Sequence, residues 1–313
     1  GPEEMVWEEI DVPAPKENEV LIKQTVIGLN FIDTYFRSGL YPTTLPVSLG
    51  MEAAGTVEEL GPGVSEFKKG DRVTYASSPI GSYAKTRVFP IKNLVKIPDD
   101  ISDELAAAIM LKGMTAEYLV RRTFEVKAGQ TVLFHAIAGG VGLIACQWAR
   151  SIGSKIIGTV SSDKKGKLAK ENGCSYIINY KKDNVVKKIN DLTNNKGVEV
   201  VYDGVGKDTF QTSLDCLSYR GLLVSFGQSS GMIPDVNLHK TFNPKSLYYT
   251  RPTLMHYNLT RKELENSSKK LFNKIIKGDL KANINKIYDL KNASVAHSDL
   301  QSRKTKGSII FKV

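Results

Sequence analysis

The sequence predicts an α/β protein with two domains, one β-barrel-like and one built on a doubly wound parallel sheet. Three observations support this prediction. The length of 313 residues exceeds one ordinary domain. Short strands broken by glycine and proline dominate residues 1 to about 100. Apolar strands alternate with helical segments from about residue 114 to 251, which is typical of a parallel sheet covered on both faces.

The first part of the chain favours a β-barrel-like domain followed by a helix. Its predicted strands are Glu19–Val26, Ala54–Leu60, Asp71–Tyr75 and Ser82–Val88. The helix is predicted from Ser102 to Leu119, because Ser102 is a good N-cap and apolar residues recur at helical spacing. The face of this helix that we expect to be buried comprises Leu105, Ala106, Ile109 and Met110.

The middle of the chain predicts six parallel strands. These strands are Thr131–Ala136, Ile156–Val160, Tyr176–Ile178, Val198–Tyr202, Gly221–Phe226 and Ser246–Thr250. The last stretch holds a predicted helix, Arg261–Lys277, and a strand, Gly307–Val313, and it is too short to form a domain alone. We therefore expect one domain from residues 1–113 with 252–313, and the other from residues 114–251.

The most informative motif is a cluster of small residues between an apolar strand and an amphipathic helix. It reads A-x-x-G-x-x-G from Ala136 through Gly139 to Gly142, and Ile137 stands where the usual fingerprint has its first glycine. Small residues let the backbone approach a pyrophosphate, whose charge the helix N-terminus then stabilises. The motif predicts a variant dinucleotide-binding turn, although a glycine-rich turn without a ligand is the alternative.

Composition excludes several classes of protein. The three cysteines, Cys146, Cys174 and Cys216, have apolar neighbours and are expected to be buried thiols rather than a disulfide framework or zinc site. The net charge of +10 permits nucleic-acid binding but does not favour it, because the lysines are dispersed. No apolar run could cross a bilayer and no signal pattern is seen, so we expect a soluble cytoplasmic protein with no membrane partner.

Six motifs make the sequence similar to a known family. They occupy residues 30–41, 50–55, 70–73, 138–142, 201–206 and 225–231. The chain resembles the zinc-independent medium-chain dehydrogenase/reductases over essentially its whole length, and within them the NADPH:quinone oxidoreductase, or ζ-crystallin-like, branch. The resemblance implies a GroES-like β-barrel catalytic domain, a Rossmann nucleotide-binding domain and an active site in the cleft between them.

The resemblance also bears on the chemistry. Related alcohol dehydrogenases hold zinc through a cysteine and a histidine at the positions of Asn30 and Met51, and neither residue is a good zinc ligand. Without a Lewis acid we expect hydride transfer to an electron-poor acceptor, a quinone, rather than alcohol oxidation. Reduction of α,β-unsaturated carbonyls is the related alternative. RNA binding, as in some ζ-crystallin relatives, is the alternative of another class.

The resemblance implies that Asn30, Tyr35, Tyr41 and Thr115 line the active site. The Tyr35 hydroxyl could donate to the oxygen that gains charge, and the Asn30 amide could polarise the same group or the ribose. Tyr41 could stack on a flat substrate. In the alternative interpretation, the tyrosines are packing residues and Asp33 is a turn residue that caps backbone groups.

The same comparison predicts NADPH rather than NADH. The second strand of the nucleotide-binding domain ends at Ser161-Ser162 and not at an acid, and Lys164 and Lys165 follow closely. Tyr180 and Arg303 are implied at the same 2′-phosphate. Asp163 could instead contact a ribose. The other implied cofactor-binding residues are Phe31, Asp33, Tyr118, Gly139, Gly140, Val141, Gly142, Val205, Phe226, Gly227, Ser229 and Arg251.

Two further expectations concern association and the histidines. The segment Ser246–Thr250 is predicted to be an apolar edge strand of the parallel sheet, and in the family this edge pairs across a two-fold axis, so we expect a homodimer. His135, at the strand end beside the glycine-rich turn, is interpreted as a satisfied structural histidine. The other histidines lack partners at metal-ligand spacing.

Overall fold

The computed structural model describes residues 1–313, and the chain divides into two compact units. The first unit contains Gly1–Met114 and Asn258–Val313, and the second contains Thr115–Tyr257. The second unit ends at Tyr257, six residues beyond the end predicted at residue 251. The reason is local packing, because the Tyr257 ring stacks on Tyr118 at a centroid distance of 4.4 Å.

The chain forms thirteen strands. In chain order they are β1 Glu19–Leu29, β2 Glu52–Leu60, β3 Arg72–Ala76, β4 Thr86–Pro90, β5 Val95–Lys96, β6 Thr131–Phe134, β7 Lys155–Val160, β8 Tyr176–Asn179, β9 Val198–Asp203, β10 Leu217–Ser225, β11 Tyr248–Thr250, β12 Ile284–Asp289 and β13 Ser308–Lys312.

The chain also forms ten α-helices. They are α1 Phe31–Arg37, α2 Asp103–Tyr118, α3 Gly140–Ile152, α4 Asp163–Glu171, α5 Val185–Thr193, α6 Phe210–Cys216, α7 Leu238–Phe242, α8 Leu254–Tyr257, α9 Arg261–Ile276 and α10 Ala293–Gln301. No helix combines the length and the apolar character that crossing a membrane requires. The predicted burial of the three cysteines is confirmed.

A seven-stranded sheet forms the first unit. Its strand order is β12-β13-β1-β2-β3-β5, and β4 also pairs with β1. Strand β13 lies antiparallel to β1, with Phe311 opposite Ile27. Both side chains are fully buried in the core of this unit. The prediction that the C-terminal stretch folds back onto the first part of the chain is therefore confirmed.

Two elements near the C-terminus were not predicted from the sequence. Strand β12 pairs in parallel with β13, placing Ile287 opposite Ile310, and α10 follows it. The β12 sequence does not alternate between apolar and polar residues, and Ile287 is exposed, because β12 lies at the edge of the sheet. An edge strand with little buried surface leaves a weak hydrophobic pattern.

Helix α2 differs from its prediction in its burial. Its N-cap is confirmed, since the Ser102 hydroxyl oxygen accepts the Leu105 N–H at 3.2 Å. The predicted face is fully buried at Ala106, Ile109 and Met110 but only half-buried at Leu105, and burial extends to all residues from Ala106 to Met110. Three consecutive alanines let this helix be enclosed on all sides, which a one-face pattern does not describe.

The second unit is built on a six-stranded parallel sheet. Its strand order is β11-β10-β9-β6-β7-β8, so the first strand of this unit in sequence lies near the centre. The chain continues from β6 to β7 on one side and later returns to β9 on the other. The predicted doubly wound fold is therefore confirmed. Ligands of such sheets bind at the carboxyl ends of the strands where the order reverses, here β6 and β9.

Candidate functional site

The glycine-rich turn lies at the carboxyl end of β6 in the second unit. Gly139 is the N-cap of α3, and it offers no side-chain cap to the N–H groups of the first helical turn. Gly139, Gly140 and Val141 are half-buried rather than covered. The N-terminus of this helix can therefore donate several backbone hydrogen bonds to an anion, with the helix dipole adding to the attraction.

Close packing explains the unusual residue of the turn. An added Cβ on Gly142 would overlap the backbone carbonyl of Ile137, so only glycine allows α3 to begin this close to the strand end. The Ile137 side chain is fully buried, and it fills the space beside Gly158 on β7, where a Cβ would overlap it. The isoleucine at the position of the missing glycine is accommodated by a glycine on the neighbouring strand.

Asp203 organises the neighbouring loop at the end of β9. Its Oδ1 accepts the N–H groups of Val205 at 2.8 Å and Gly206 at 3.1 Å. Its carboxylate also accepts the hydroxyls of Thr209 at 2.8 Å and Ser213 at 2.7 Å. Sequence reasoning missed this role of Asp203. The available signal was an acid at a predicted strand end followed directly by a glycine-containing loop.

Arg251 holds the loop that follows β10. Its guanidinium donates to the carbonyl oxygens of Ser225 at 2.8 Å and Gly227 at 3.2 Å, and to Gln228 Oε1 at 3.1 Å. The Ser229 N–H in the same loop donates to the Gly204 carbonyl at 3.2 Å. Arg251 is thus a residue that shapes the loop carrying Gly227 and Ser229, and its direct contact with a cofactor stays a prediction.

The other predicted residues of the second unit are packed against aromatic rings or buried. Thr115 and Tyr118 are both buried, and burial raises the pKa of Tyr118 above its ordinary value. The Phe226 ring lies 5.4 Å from that of Phe134, at the end of β6. The predicted contacts of these residues with a substrate or cofactor stay predictions.

The carboxyl ends of β7 and β8 bring together Ser161, Lys165 and Tyr180, three of the residues predicted near a 2′-phosphate. The Tyr180 N–H donates to the Val160 carbonyl at 3.1 Å, which places Tyr180 beside the end of β7. Ser161 follows Val160, and the next residue, Ser162, caps α4 by accepting the Lys165 N–H at 3.4 Å. Ser161 and Lys165 are half-buried, whereas Tyr180 is 41% exposed.

The acid next to these residues is already engaged. Asp163 Oδ2 accepts Lys182 Nζ at 2.5 Å, and Asp163 Oδ1 accepts the side-chain amide of Asn179 at 2.8 Å. The hydrogen bond from Lys182 lowers the pKa of Asp163, followed by the one from Asn179. Each carboxylate oxygen therefore has one partner, and the contact of Asp163 with a ribose stays an alternative prediction.

The aromatic residues predicted in the first unit cluster on and after α1. The Tyr35 ring lies 5.6 Å from that of Phe31 and 5.2 Å from that of Tyr41, and these centroid distances are typical of tilted or edge-on pairs. The Tyr41 N–H donates to the Tyr35 carbonyl at 3.1 Å. The structure therefore brings these three predicted residues together. Arg303 belongs to the first unit as well, and its contact with a phosphate stays a prediction.

Asn30 is held by a buried ion pair. Its side-chain amide donates to Glu52 Oε2 at 2.7 Å. Glu52 has no exposed surface, and it also accepts Lys112 Nζ at 3.1 Å and the Leu111 N–H at 2.6 Å. Sequence reasoning missed both Glu52 and Lys112. The geometry fits a positioning role for Asn30, while its predicted action on an acceptor or ribose stays a prediction.

Asp33 forms a capping box with Asn30. The Asp33 Oδ2 accepts the Asn30 N–H at 2.9 Å, and the Asn30 side chain accepts the Asp33 N–H. The capping interpretation of Asp33 is thereby confirmed. The predicted cofactor contact does not fit this structure, because Asp33 is fully buried and offers no surface to a ligand.

Burial also changes the ionisation of Asp33. Desolvation raises the pKa of Asp33 from 3.8 to about 7, although hydrogen bonds from Asn30 and Tyr83 and the charge of Lys112 oppose the shift. The second carboxylate oxygen, Oδ1, is buried without a hydrogen-bond partner. Protonation of the carboxyl removes the cost of burying a charge, which is why burial raises the pKa.

His135 is only half satisfied, which corrects the sequence interpretation. Its Nδ1 lies 3.0 Å from the Thr159 hydroxyl, but its Nε2 is buried without a partner. Desolvation lowers the pKa of His135, and the charge of Asp203 opposes this shift. The side chain lies directly before the glycine-rich turn, and tertiary packing rather than local sequence decided how many partners it has.

The structure contains no group of three or more histidine, cysteine or acidic residues placed to hold a metal ion. At the two positions where the resemblance places zinc ligands in related enzymes, Asn30 donates to Glu52 and Met51 is buried. Neither side chain supplies the anionic or imidazole ligand that zinc prefers.

The doubly wound sheet with its glycine-rich turn, together with the GroES-like unit, is typical of a nucleotide-dependent dehydrogenase or reductase. The sequence matches the family described as alcohol dehydrogenase GroES-like domain over residues 16–99, and that described as zinc-binding dehydrogenase over residues 140–274. A quinone oxidoreductase of Pseudomonas aeruginosa is 49% identical over 312 residues, covering 99% of this chain and 96% of that protein. A 2-haloacrylate reductase of a Burkholderia species is 42% identical, with coverage of 99% and 96%.

Comparison with solved structures agrees with this result. The crystal structure of Escherichia coli quinone oxidoreductase complexed with NADPH superimposes with a TM-score of 0.98 at 47% identity, covering 100% of this chain and 97% of that one. The protein belongs to the medium-chain dehydrogenase/reductase family, in its quinone oxidoreductase branch. The resemblance and the fold class predicted from the sequence are both confirmed.

The buried carboxyl of Asp33 should make stability depend on pH. Its pKa is higher in the folded than in the unfolded chain, so its contribution is fully present below about pH 4 and is lost as the pH rises through about 7. Asp33→Asn mimics the protonated acid at every pH. We therefore expect the unfolding free energy of the variant, relative to that of the wild type, to increase by up to roughly 4 kcal/mol from pH 4 to pH 8. Urea unfolding at a series of pH values measures this difference.

A second titrating group and one control variant bear on this experiment. His297, whose pKa is lowered to about 3, has the opposite pH dependence, but it is present in both proteins and its contribution largely cancels in the difference. Asp99→Asn makes the same chemical change at an exposed position and should leave the pH profile of the wild type unaltered. Parallel profiles for Asp33→Asn and the wild type would contradict the proposed ionisation.

Proposed function

We propose that this protein is an NADPH-dependent quinone oxidoreductase that works without zinc. One observation carries the proposal, namely the similarity over the full chain to a quinone oxidoreductase complexed with NADPH, at a TM-score of 0.98 and 47% identity. The nucleotide-binding turn and the aromatic cluster of the first unit supply the two functions that such an enzyme needs, which are cofactor binding and placement of a flat acceptor.

The residues of the second unit fit NADPH. The uncapped N-terminus of α3, with Gly139, Gly140 and Val141, would hold the pyrophosphate through backbone N–H groups. Lys165 and Tyr180 at the ends of β7 and β8 would bind the 2′-phosphate, and the neighbouring acid, Asp163, is paired with Lys182. When bound, NADPH supplies the hydride that reduces the acceptor.

The residues of the first unit would place and polarise the acceptor. The half-buried rings of Phe31 and Tyr41 flank the buried ring of Tyr35. This cluster would pack against a flat molecule. The Tyr35 hydroxyl would donate a hydrogen bond to the acceptor oxygen as that oxygen gains negative charge. Asn30, fixed by Glu52, would hold the neighbouring backbone and orient any group that its amide reaches.

A second acceptor class is favoured by one of the relatives. The Burkholderia protein at 42% identity is named as a 2-haloacrylate reductase, which acts on an electron-poor carbon–carbon double bond. Quinones and such activated alkenes both accept hydride because electron-withdrawing groups stabilise the resulting charge. We therefore keep reduction of α,β-unsaturated carbonyl or carboxyl compounds as the alternative function.

Initial rates with several quinones and activated alkenes test the reaction and the role of Tyr35 together. We expect the wild type to oxidise NADPH faster with quinones than with alkenes. Tyr35→Phe should lower kcat with the preferred acceptor by about tenfold or more and leave the affinity for NADPH nearly unchanged, because the hydroxyl acts on charge that develops in the transition state.

Tyr219→Phe is the control for this substitution, because Tyr219 is largely exposed and lies in the second unit. It should retain wild-type kinetics. Absence of NADPH oxidation with every acceptor would overturn the proposed function, whereas a wild-type kcat in Tyr35→Phe would reduce Tyr35 to a packing residue.

Cofactor preference should depend on Lys165. One charge-assisted hydrogen bond to the 2′-phosphate contributes roughly 1.5–3 kcal/mol, so we expect NADPH to bind about ten- to a hundredfold more tightly than NADH. Lys165→Ala should weaken NADPH binding and leave NADH binding almost unchanged, since only NADPH carries the phosphate. Fluorescence titration with both cofactors measures the two dissociation constants.

The neighbouring Lys164 provides a matched control. It is exposed and carries the same charge, so Lys164→Ala should change the preference for NADPH only slightly. An equal loss of affinity for both cofactors in Lys165→Ala would show that Lys165 supports the fold, and equal affinities in the wild type would contradict the proposed phosphate site.

We also propose a homodimer that forms through β11. This strand is at the edge of the six-stranded sheet, where Tyr248 is 63% and Tyr249 is 43% exposed. An apolar edge with free backbone groups pairs readily with a second copy. Tyr249→Lys would bring like charges together across such an edge and should shift the protein to monomer in sedimentation, whereas Tyr219→Lys should not. A monomeric wild type at micromolar concentration would contradict the proposal.

A further inference from the structure

A closed chain of hydrogen bonds clasps helix α1 in the first unit. Asp33 and Arg37 lie one helical turn apart on α1. Arg37 Nη1 is 2.9 Å from His297 Nδ1, and His297 Nε2 is 2.9 Å from the Tyr83 hydroxyl. That hydroxyl is 3.1 Å from Asp33 Oδ2. These hydrogen bonds therefore run from Arg37 on α1 to α10, then to the segment before β4, and back to Asp33 on α1.

The direction of these hydrogen bonds is fixed by Arg37. A guanidinium group only donates, so His297 Nδ1 must accept and the ring must carry its proton on Nε2. The Nε2–H then donates to the Tyr83 oxygen, which leaves the Tyr83 proton for Asp33. Burial and the adjacent Arg37 lower the pKa of His297 to about 3, which keeps the imidazole neutral as this arrangement requires.

The clasp and the aromatic cluster occupy opposite faces of α1. Phe31 and Tyr35 are also one turn apart, and each precedes a clasp residue by two positions, which corresponds to a rotation of roughly 200° about the helix axis. A helix of 7 residues is not stable by itself, so its rotation depends on what holds it. A fixed hydrogen-bond chain on one face thereby sets the direction of the Tyr35 ring on the other.

We propose that His297 and Tyr83 are positioning residues, which orient α1 and hence Tyr35 through this directional chain to Asp33. The inference rests on the proposed function only in that Tyr35 acts on the acceptor. His297 is far from α1 in sequence, so a residue of the C-terminal segment controls an element near the start of the chain. Neither side chain needs to touch the cofactor or the acceptor.

The tautomer of His297 can be measured without any activity. In protein labelled with ¹⁵N-histidine, we expect NMR to show a neutral His297 with its proton on Nε2 at pH 7, identified by the signal that is lost in His297→Gln. Arg37→Met removes the obligatory donor, and the strict preference for this tautomer should be lost. A proton on Nδ1, or a charged ring, in the wild type would overturn the proposed direction of the chain.

Kinetics with a matched pair of variants test the positioning role. Tyr83→Phe removes one hydroxyl and keeps the ring that packs edge-on against Phe311 at 5.0 Å. Tyr288→Phe removes a hydroxyl that donates to Asp299 at 2.6 Å, from a ring that also contacts Phe311 but lies outside the clasp. We expect Tyr83→Phe to lower kcat about three- to tenfold with the KM for NADPH unchanged within about twofold, and Tyr288→Phe to keep both.

Rescue separates positioning from general stability. His297→Gln retains one acceptor and one donor and should keep most of the wild-type kcat, whereas His297→Leu should behave like Tyr83→Phe. Equal kcat values for Tyr83→Phe and Tyr288→Phe would overturn the inference. If the wild type fails to oxidise NADPH with every acceptor tested, the proposed function is wrong. The tautomer measurement still decides whether the directional hydrogen-bond chain exists.

Discussion

The buried carboxylate of Glu52 is the interaction on which the first unit depends most. It lies on β2, accepts the Asn30 amide at the start of α1, and pairs with Lys112 of α2. A buried charge is tolerated only when it is paired and hydrogen-bonded, so loss of one partner leaves an uncompensated charge. The Glu52 carboxylate therefore links strand β2, helix α2 and Asn30 at the start of α1.

The nucleotide-binding turn of the second unit depends on steric fit rather than on charge. Gly142 lies so close to Ile137 that a side chain there would overlap the backbone, and Gly158 leaves room for the isoleucine. Close packing of this kind brings the N-terminus of α3 to the strand end, where its N–H groups are available to a phosphate. The isoleucine at the position of the usual first glycine thus packs against a glycine on the neighbouring strand, and the close approach of α3 to the strand end is kept.

Much of the fold was predictable from the sequence because the buried parallel strands are continuous apolar runs separated by helical segments. Strand β12 was not, because it is an edge strand whose Ile287 is exposed. Of the candidate site, the motifs found the residue types and their order along the chain. They did not find Lys112, or the clasp of Tyr83 and His297, because these residues have no local pattern and meet α1 only after folding.

The sequence by itself determined the family, the two kinds of sheet and the absence of an acid at Ser161-Ser162. These properties follow from residue patterns that are local in the chain. Only the tertiary structure decided the state of individual polar groups. Asp33 is enclosed and its pKa is raised to about 7, and His135 has one nitrogen without a hydrogen-bond partner. Solvation and hydrogen-bond partners are set by residues distant in the chain, so they arise when the elements pack.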